Sequence, residues 1–194
     1  MAITRESLLS LEAYARARPQ FRQRVLAHKA RRRVAFGDHV ILLFEDELTI
    51  RYQIQEMLRA ERIFEEEAIQ AELVVYSGLV PDGRNWKATM MIAYADPGER
   101  AVMLRKLIGI EDTVWIQVAG AAPVYAVADE DAERDTDAKT SAVHFLRFDL
   151  DAAMIGTVKS GASLSAGIDH PHYRVRIDEL DSSVAAALAQ DLDT

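Results

Sequence analysis

The sequence predicts an α+β protein in which N-terminal helices are followed by a mostly antiparallel sheet with interleaved short helices. Residues 1–80 are dominated by apolar side chains at helical spacing. Residues 162–168 and 173–178 instead alternate apolar and polar side chains, as antiparallel strands with one buried face do. Helices that precede strands favour α+β over a parallel α/β sheet. We expect a single domain over residues 1–194, with a helix-rich part (1–80) and a sheet-rich part (81–194).

The first 44 residues predict two helices and a hairpin. Ser10 can cap a short helix that must end before Pro19, and Pro19 suits the first turn of the helix that follows. Residues 34–36 and 40–44 are mostly apolar and flank a turn that contains Gly37. Because glycine tolerates the positive φ of tight turns, this pattern predicts a β-hairpin.

The strongest helical pattern covers residues 47–61, where apolar side chains recur every three or four positions. A further helix is predicted over residues 65–76 and ends at Gly78. A turn follows, because proline presets φ at Pro81 and glycine permits positive φ at Gly83.

Strands and short helices alternate through the second half of the chain. Asp96 at the N-cap, Pro97 at N1 and Glu99 at N3 predict a capping box, and the helix that they begin reaches Gly109. The order of elements leaves a split βαβ-like element open as an alternative. The predicted elements are strand 86–95, helix 96–109, strands 113–118 and 124–128, strand 141–149, helix 151–160, strands 162–168 and 173–178, and helix 182–192.

Composition is that of a soluble globular protein. The chain is 49% apolar and 28% charged, with no cysteine. The absence of cysteine excludes disulfides, thiolate nucleophiles, zinc–thiolate sites and directly ligated iron–sulfur clusters. No apolar run approaches the roughly 18 residues of a membrane span, and the N-terminal residues lack the apolar stretch of a signal peptide. We therefore expect a cytoplasmic protein of bacterial type.

Charge is distributed unevenly along the chain. Residues 1–33 carry nine Lys or Arg and two Glu, a net charge of +7, which leaves −15 for the rest of a chain of net charge −8. Such asymmetry indicates either an acidic partner or one part of the molecule docking on another. The sequence therefore predicts a protein partner, or a homo-oligomer such as a homodimer, that uses the basic 16–33 region. An internal contact with the acidic residues 65–67 is the alternative.

Several segments of the sequence resemble a bacterial family known only as a domain of unknown function, DUF3501. These segments are residues 52–66, 81–83, 87–90, 107–111, 139–148 and 169–171. The resemblance covers nearly the whole chain, but it implies no assigned activity, cofactor or catalytic residue. Family members are encoded beside rubrerythrin-like and iron–sulfur proteins, which implies an accessory role in redox or peroxide handling.

An acidic segment followed by a histidine is the candidate metal site. Residues 129–137 contain six carboxylates, and a strand that carries His144 follows. Oxygen ligands with an imidazole could hold a divalent cation such as manganese, iron or zinc. The alternative is a solvated loop before a strand in which His144 is a hydrogen-bonded core residue and residues 170–172 form an exposed turn. The candidate ligands are Asp129, Glu130, Asp131 and His144, joined by His170 and His172.

The polar face of helix 52–66 supplies the candidate catalytic residues. Glu56 or Glu66 could act as a general base if a cleft raised its pKa. The alternative is a ladder of ion pairs that packs on the basic helix 19–33. Gln53 and Gln55 favour a functional interpretation, because these amides reduce helix stability unless they bind something.

Other function classes lack their signatures. Residues 31–33 are three consecutive arginines, but the chain has no helix-turn-helix, no aromatic RNA-binding strand and no net positive charge. No glycine-rich phosphate loop or Gly-x-Ser-x-Gly motif occurs. The sequence thus predicts a non-catalytic accessory or interaction protein without a cofactor. A metal-dependent enzyme or metal sensor that uses the 129–137 segment with His144 is the alternative.

Overall fold

A computed structural model of the chain describes residues 3–128 and 139–193. Its α-helices are α1 (Leu11–Ala30), α2 (Glu47–Ala60), α3 (Glu66–Ser77), α4 (Pro97–Lys106), α5 (Ala152–Lys159) and α6 (Ser182–Gln190). Its strands are β1 (Arg33–Phe36), β2 (Val40–Phe44), β3 (Asn85–Ile92), β4 (Val114–Val118), β5 (Val124–Tyr125), β6 (Val143–Asp149), β7 (Leu164–His170) and β8 (Tyr173–Ile177).

The strands of the described residues form two four-stranded sheets, in the orders β1-β2-β3-β6 and β5-β4-β7-β8. All six strand pairings between them are antiparallel, so the predicted α+β class is confirmed. The split βαβ alternative is wrong, because β3 and β4 lie in different sheets. Helix α4 carries the chain from one sheet to the other instead of returning it to the same one.

The main hydrophobic core lies between the two sheets. Inward-facing side chains such as Phe36, Trp86 and Phe148 of the first sheet share one cluster with Ile116 and Ile168 of the second. All five side chains are almost fully buried. The alternation of apolar and polar side chains that predicted the last two strands therefore reflects the packing of one sheet face against the other sheet.

The two sheets approach each other along both edges. On one side, an isolated bridge joins Val127 to Arg147 of β6. On the other side, the Tyr173 hydroxyl of β8 donates a hydrogen bond to the Phe36 carbonyl of β1. These contacts cover strand edges that would otherwise be open to intermolecular pairing.

A second, smaller core lies between the helices and the first sheet. Ile50, Ile54 and Leu58 of α2 pack with Ile69 of α3, and Phe145 on the outer face of β6 packs against this cluster. Helix α1 contacts α2. Within the described residues, no helix combines the length and apolarity needed to cross a membrane.

Helix α1 differs from its prediction. The sequence predicts a break before Pro19, but a single helix of 20 residues runs through it. Ser10 caps this helix as predicted, since its side chain accepts a hydrogen bond from the Ala13 amide. The helix continues past the proline because Tyr14 and Val25, one on each side, are both fully buried. The packing of both halves outweighs the backbone hydrogen bond that proline cannot donate.

Two predicted glycine turns place the chain as expected. Gly37 has φ +64° in the β1–β2 hairpin, and Gly83 has φ +89° two residues after Pro81. At Gly83 a side chain would also collide with the end of the described chain, because a Cβ atom would lie 2.3 Å from the Asp193 carboxyl carbon. The Asp193 amide donates to the Gly83 carbonyl at 2.9 Å. Glycine thus allows the residues after α6 to pack against this turn.

We predict that Pro19→Ala stabilises the protein by about 1–3 kcal/mol. Alanine restores a backbone donor inside α1, which outweighs the loss of proline rigidity in the unfolded chain. The free energy of unfolding in urea measures the effect. Gln23→Ala, in the exposed part of the same helix, is the control and should change stability by less than about 0.5 kcal/mol. A lower stability of Pro19→Ala would contradict this account.

Candidate functional site

The basic helix α1 contacts α2 through aromatic rings and charged groups. Phe21 of α1 makes edge-on contacts with Tyr14 and with Tyr52 of α2, with ring centroids 6.0 and 5.9 Å apart. The Lys29 ammonium lies 5.8 Å from the centre of the Tyr52 ring, and the Arg24 guanidinium 5.2 Å from that of Phe21. Cation–π contacts therefore contribute to holding α1 in place.

Glu56 holds the two helices together. Its carboxylate accepts two hydrogen bonds from Arg18, at 2.7 and 2.8 Å, and a third from the Tyr14 hydroxyl at 2.6 Å. The Arg18 hydrogen bonds, helped by the Tyr14 hydroxyl, lower the pKa of Glu56 to about 2. A general base would need a raised pKa, so the predicted perturbation has the wrong sign. Glu56 thus pairs with α1 through Arg18, which lies just before the predicted basic helix 19–33.

Glu66 is also an ion-pairing residue. Its side chain is 61% exposed and lies 2.9 Å from Arg5 and 3.0 Å from Gln70. The hydrogen bond from Gln70, followed by that from Arg5, lowers the pKa of Glu66. The expectation of a raised pKa is therefore wrong here as well. The ion-pair partner of Glu66 is Arg5 rather than a residue of the basic helix.

Gln55 binds the chain itself. Its side chain is buried in α2, where Oε1 accepts a hydrogen bond from the Leu9 amide at 2.7 Å and Nε2 donates to the Leu9 carbonyl at 3.3 Å. The backbone amide and carbonyl of Leu9 therefore both form hydrogen bonds with one side chain. The structure thus explains this amide by anchoring of the N-terminal segment.

A buried guanidinium joins three helix ends. Arg32 is 3% exposed and makes two hydrogen bonds of 2.7 Å with Asp191, which follows α6. Its Nη2 also lies 3.0 Å from Asp46, the N-cap of α2. Sequence reasoning missed this site, because Arg32 reads as one of three similar arginines and Asp191 is 159 positions away. The one signal in the sequence was the period of two of a strand, which places Arg32 on the face opposite Arg31 and Arg33 if the pattern of β1 is extended backwards.

His28 completes this network. Its Nε2 lies 2.5 Å from Asp46 Oδ2 and 2.9 Å from Arg32 Nε. The same ring nitrogen cannot accept a hydrogen bond from Arg32 while it donates one to Asp46. The contact with Asp46 is the shorter of the two, which indicates that Nε2 carries a proton and donates it to the Asp46 carboxylate. Burial alone would raise the pKa of Asp46, but the Arg32 charge, the Thr49 amide and His28 together lower it. Asp46 therefore stays ionised beside Arg32.

The remaining cations of the basic region face solvent. Arg22, Arg31 and Arg33 are exposed and form no ion pair with any residue of the described ranges. Leu26 lies one helical turn after Arg22 and is 48% exposed. We call Arg22, Leu26, Arg31 and Arg33 together the basic face, a name for exposed residues of α1 and of the start of β1 rather than for one side of the helix. It combines positive charge with one large apolar side chain.

The candidate metal ligands are only partly described. Asp129, Glu130 and Asp131 lie outside the described residues, and the metal hypothesis stays a prediction. His144 is completely buried on β6, where its Nε2 lies 2.9 Å from the Ser141 carbonyl, 3.0 Å from Thr140 Oγ1 and 3.9 Å from Glu111 Oε2. The carbonyl can only accept, so Nε2 carries a proton there.

The two other candidate histidines sit at the β7–β8 turn. His170 is 5% exposed, and its Nε2 lies 3.1 Å from the Ile108 carbonyl. Its Nδ1 accepts a hydrogen bond from the His172 amide at 3.2 Å, while His172 itself is exposed. Across residues 3–128 and 139–193, no three His, Asp or Glu side chains are grouped so that they could hold a metal ion.

Comparison with known proteins gives a family and a close structural relative. A family described as protein of unknown function (DUF3501) matches residues 2–192. A crystal structure of a novel protein of unknown function from Burkholderia pseudomallei is 59% identical in sequence, with a TM-score of 0.95 over 100% of both chains. No curated protein matches the chain. Neither relative has a described activity.

We predict that Arg32→Met lowers the free energy of unfolding by about 3–5 kcal/mol, because Asp46 and Asp191 would lose their buried counter-ion. Urea unfolding at neutral pH measures the loss. Arg33→Met is the matched control, since this neighbour is exposed, and its effect should be below about 0.5 kcal/mol. Equal effects of the two substitutions would show that the network contributes little.

We predict that Glu56 makes stability depend on pH between its ordinary pKa of 4.5 and its folded pKa of about 2. A lowered folded pKa contributes stability that is fully present above pH 4.5 and is lost as pH falls towards 2. Glu56→Gln should therefore cost about 1–2 kcal/mol at pH 7, allowing for solvent screening, and little near pH 2. Unfolding curves across this pH range test it.

Glu61→Gln is the control for this experiment, since Glu61 is exposed and makes no ion pair within the described part of the chain. Its effect should not change with pH. A loss in Glu56→Gln that is the same at pH 7 and pH 2.5 would assign the effect to packing instead of charge.

Proposed function

The chain belongs to the DUF3501 family, and we propose that it is a non-catalytic accessory protein that binds an acidic protein partner through its basic face. The supporting observation is the exposure of α1. This helix has 20 residues, yet only Tyr14 and Val25 are buried. A helix with so few buried residues leaves most of its surface accessible to a partner.

Charge supports an acidic occupant for this surface. Arg18 and Arg32 are already neutralised by Glu56, Asp46 and Asp191. Arg22, Arg31 and Arg33 are not, so their charges are available to steer association with an acidic surface. Leu26 offers the apolar contact that an interface core needs.

A protein partner fits this surface better than a nucleic acid. The face has few cations and the whole chain has a net charge of −8, whereas nucleic-acid affinity comes mainly from neutralising many phosphates. A second copy of the chain is the competing occupant, because Phe64 is 70% exposed beside the acidic residues 65–67. We favour a different protein, and the second copy becomes an outcome of the test.

The family resemblance implies an accessory role in redox or peroxide handling, and in this proposal the partner carries out the redox chemistry. The chain has no cysteine, so it offers no thiol chemistry of its own. The same absence supports a cytoplasmic location as part of the proposal.

We predict that the charge-reversal variant R22E/R31E/R33E loses its partner. Proteins retained by the immobilised full chain are identified, purified and titrated against it at low and high salt. We expect an acidic partner whose affinity falls as salt rises and drops at least about tenfold in the variant, because the steering charges have been inverted. Arg32 is left unchanged, since its reversal would disrupt the buried network.

The matched control is R100E/R105E/K106E on α4, which makes the same change in net charge at exposed positions. It should bind the partner within about twofold of the native chain. Equal weakening by both variants, or full retention by R22E/R31E/R33E, would refute the assignment of the basic face. If the pure chain forms a dimer and R22E/R31E/R33E abolishes it, the occupant of the basic face is a second copy of the chain and not an acidic protein.

Elemental analysis separates this proposal from the metal-dependent alternative. Protein purified without a chelator or affinity tag should contain no stoichiometric metal. A stoichiometric ion that disappears in His144→Ala or Asp131→Ala, with the fold retained, would make the protein a metalloprotein that uses the 129–137 segment.

A further inference from the structure

A pocket of about 460 Å³ lies between the N-terminal segment, α1 and α2. This volume is within the range of small-molecule sites. Two guanidiniums line it, Arg24 from α1 and Arg51 from α2, and none of its described lining residues is acidic. The pocket is therefore positively charged although the chain as a whole is negative.

Both arginines retain hydrogen-bonding capacity. Arg51 lies 3.5 Å from Glu47, longer than a good charged hydrogen bond, and both side chains are partly exposed. Arg24 rests over the Phe21 ring and makes no ion pair among the described residues. Gln20 lines the same pocket, and its amide makes no hydrogen bond within the described part of the chain. Five N–H donors per guanidinium leave several for a ligand.

The apolar side of the pocket is built from Leu9, Ala17 and Phe21. Leu9 is held in place by its two backbone hydrogen bonds with the Gln55 side chain, and Phe21 by its contacts with Tyr14 and Tyr52. This wall is thus fixed before any ligand arrives, which reduces the entropic cost of binding.

We propose that this pocket binds a small organic anion, a carboxylate or phosphate monoester with an apolar or aromatic body. Arg24 and Arg51 hold the anionic group, and the body packs on Leu9, Ala17 and Phe21. Guanidinium groups match the planar or tetrahedral oxygens of such anions, and two of them line this pocket. The pocket is separate from the basic face, because none of Arg22, Leu26, Arg31 and Arg33 lines it.

Phenyl phosphate is the probe, titrated into the ¹⁵N-labelled full chain by NMR. We expect saturable shifts of the Leu9, Ala17 and Gln55 signals, with a dissociation constant of roughly millimolar order for a probe of this size. R24Q/R51Q should weaken binding at least about tenfold, because it removes both charged donors. Glu47→Gln should tighten it, since Arg51 would lose its competing carboxylate.

Arg22→Gln is the matched control and should bind phenyl phosphate within about twofold of the native chain. R22E/R31E/R33E should also keep this affinity, so failure of the pocket and failure of the partner proposal are distinguishable. Phenol and inorganic phosphate separate the contributions of body and charge, and each should bind more weakly than phenyl phosphate.

Three outcomes would overturn the inference. They are the absence of saturable shifts at 10 mM phenyl phosphate, equal weakening in Arg22→Gln and R24Q/R51Q, and equal binding of inorganic phosphate. If R24Q/R51Q does not fold, unchanged affinity in Glu47→Gln would exclude Arg51 as a ligand.

Discussion

The structure depends on one buried positive charge. Arg32 lies just after α1 and binds the N-cap of α2 through Asp46 and the end of α6 through Asp191. Removing a guanidinium from water is expensive, and only the full set of partners offsets this cost. The position of α1 therefore depends on the positions of the N-terminus of α2 and the C-terminus of α6. Burial of charge, more than burial of hydrocarbon, specifies this arrangement.

The same logic extends along α1. Glu56 with Arg18, and the rings of Phe21 and Tyr52 with their cations, connect the helix to α2 with few aliphatic contacts. A helix attached in this way remains largely solvent-exposed on both flanks. The basic face lies on α1 and the start of β1, and α1 also forms a wall of the pocket that contains Arg24. The two proposed interactions thus follow from a single mode of attachment.

The sequence predicted local features well and distant ones poorly. Gly37, Gly83 and the Asp96–Pro97 pair punctuate the chain through their own backbone preferences, so each turn or helix start could be placed without knowledge of its surroundings. The helix break predicted before Pro19 is wrong, because packing of both halves of α1 outweighs the local backbone preference of proline. The division into two sheets depends on contacts between distant segments. Glu56 was correctly placed on the polar face, but the sign of its pKa shift depends on Arg18, 38 residues away.

The Arg32–Asp191 pair also bears on synthesis of the protein. The two residues are separated by 159 positions, so the chain as far as Asp191 must leave the ribosome before the guanidinium can meet its second carboxylate. Until then, docking α1 against the sheet would bury a cation without its full complement of counter-charge. We therefore expect the nascent chain to keep α1 loosely attached, with its final placement among the last steps of folding.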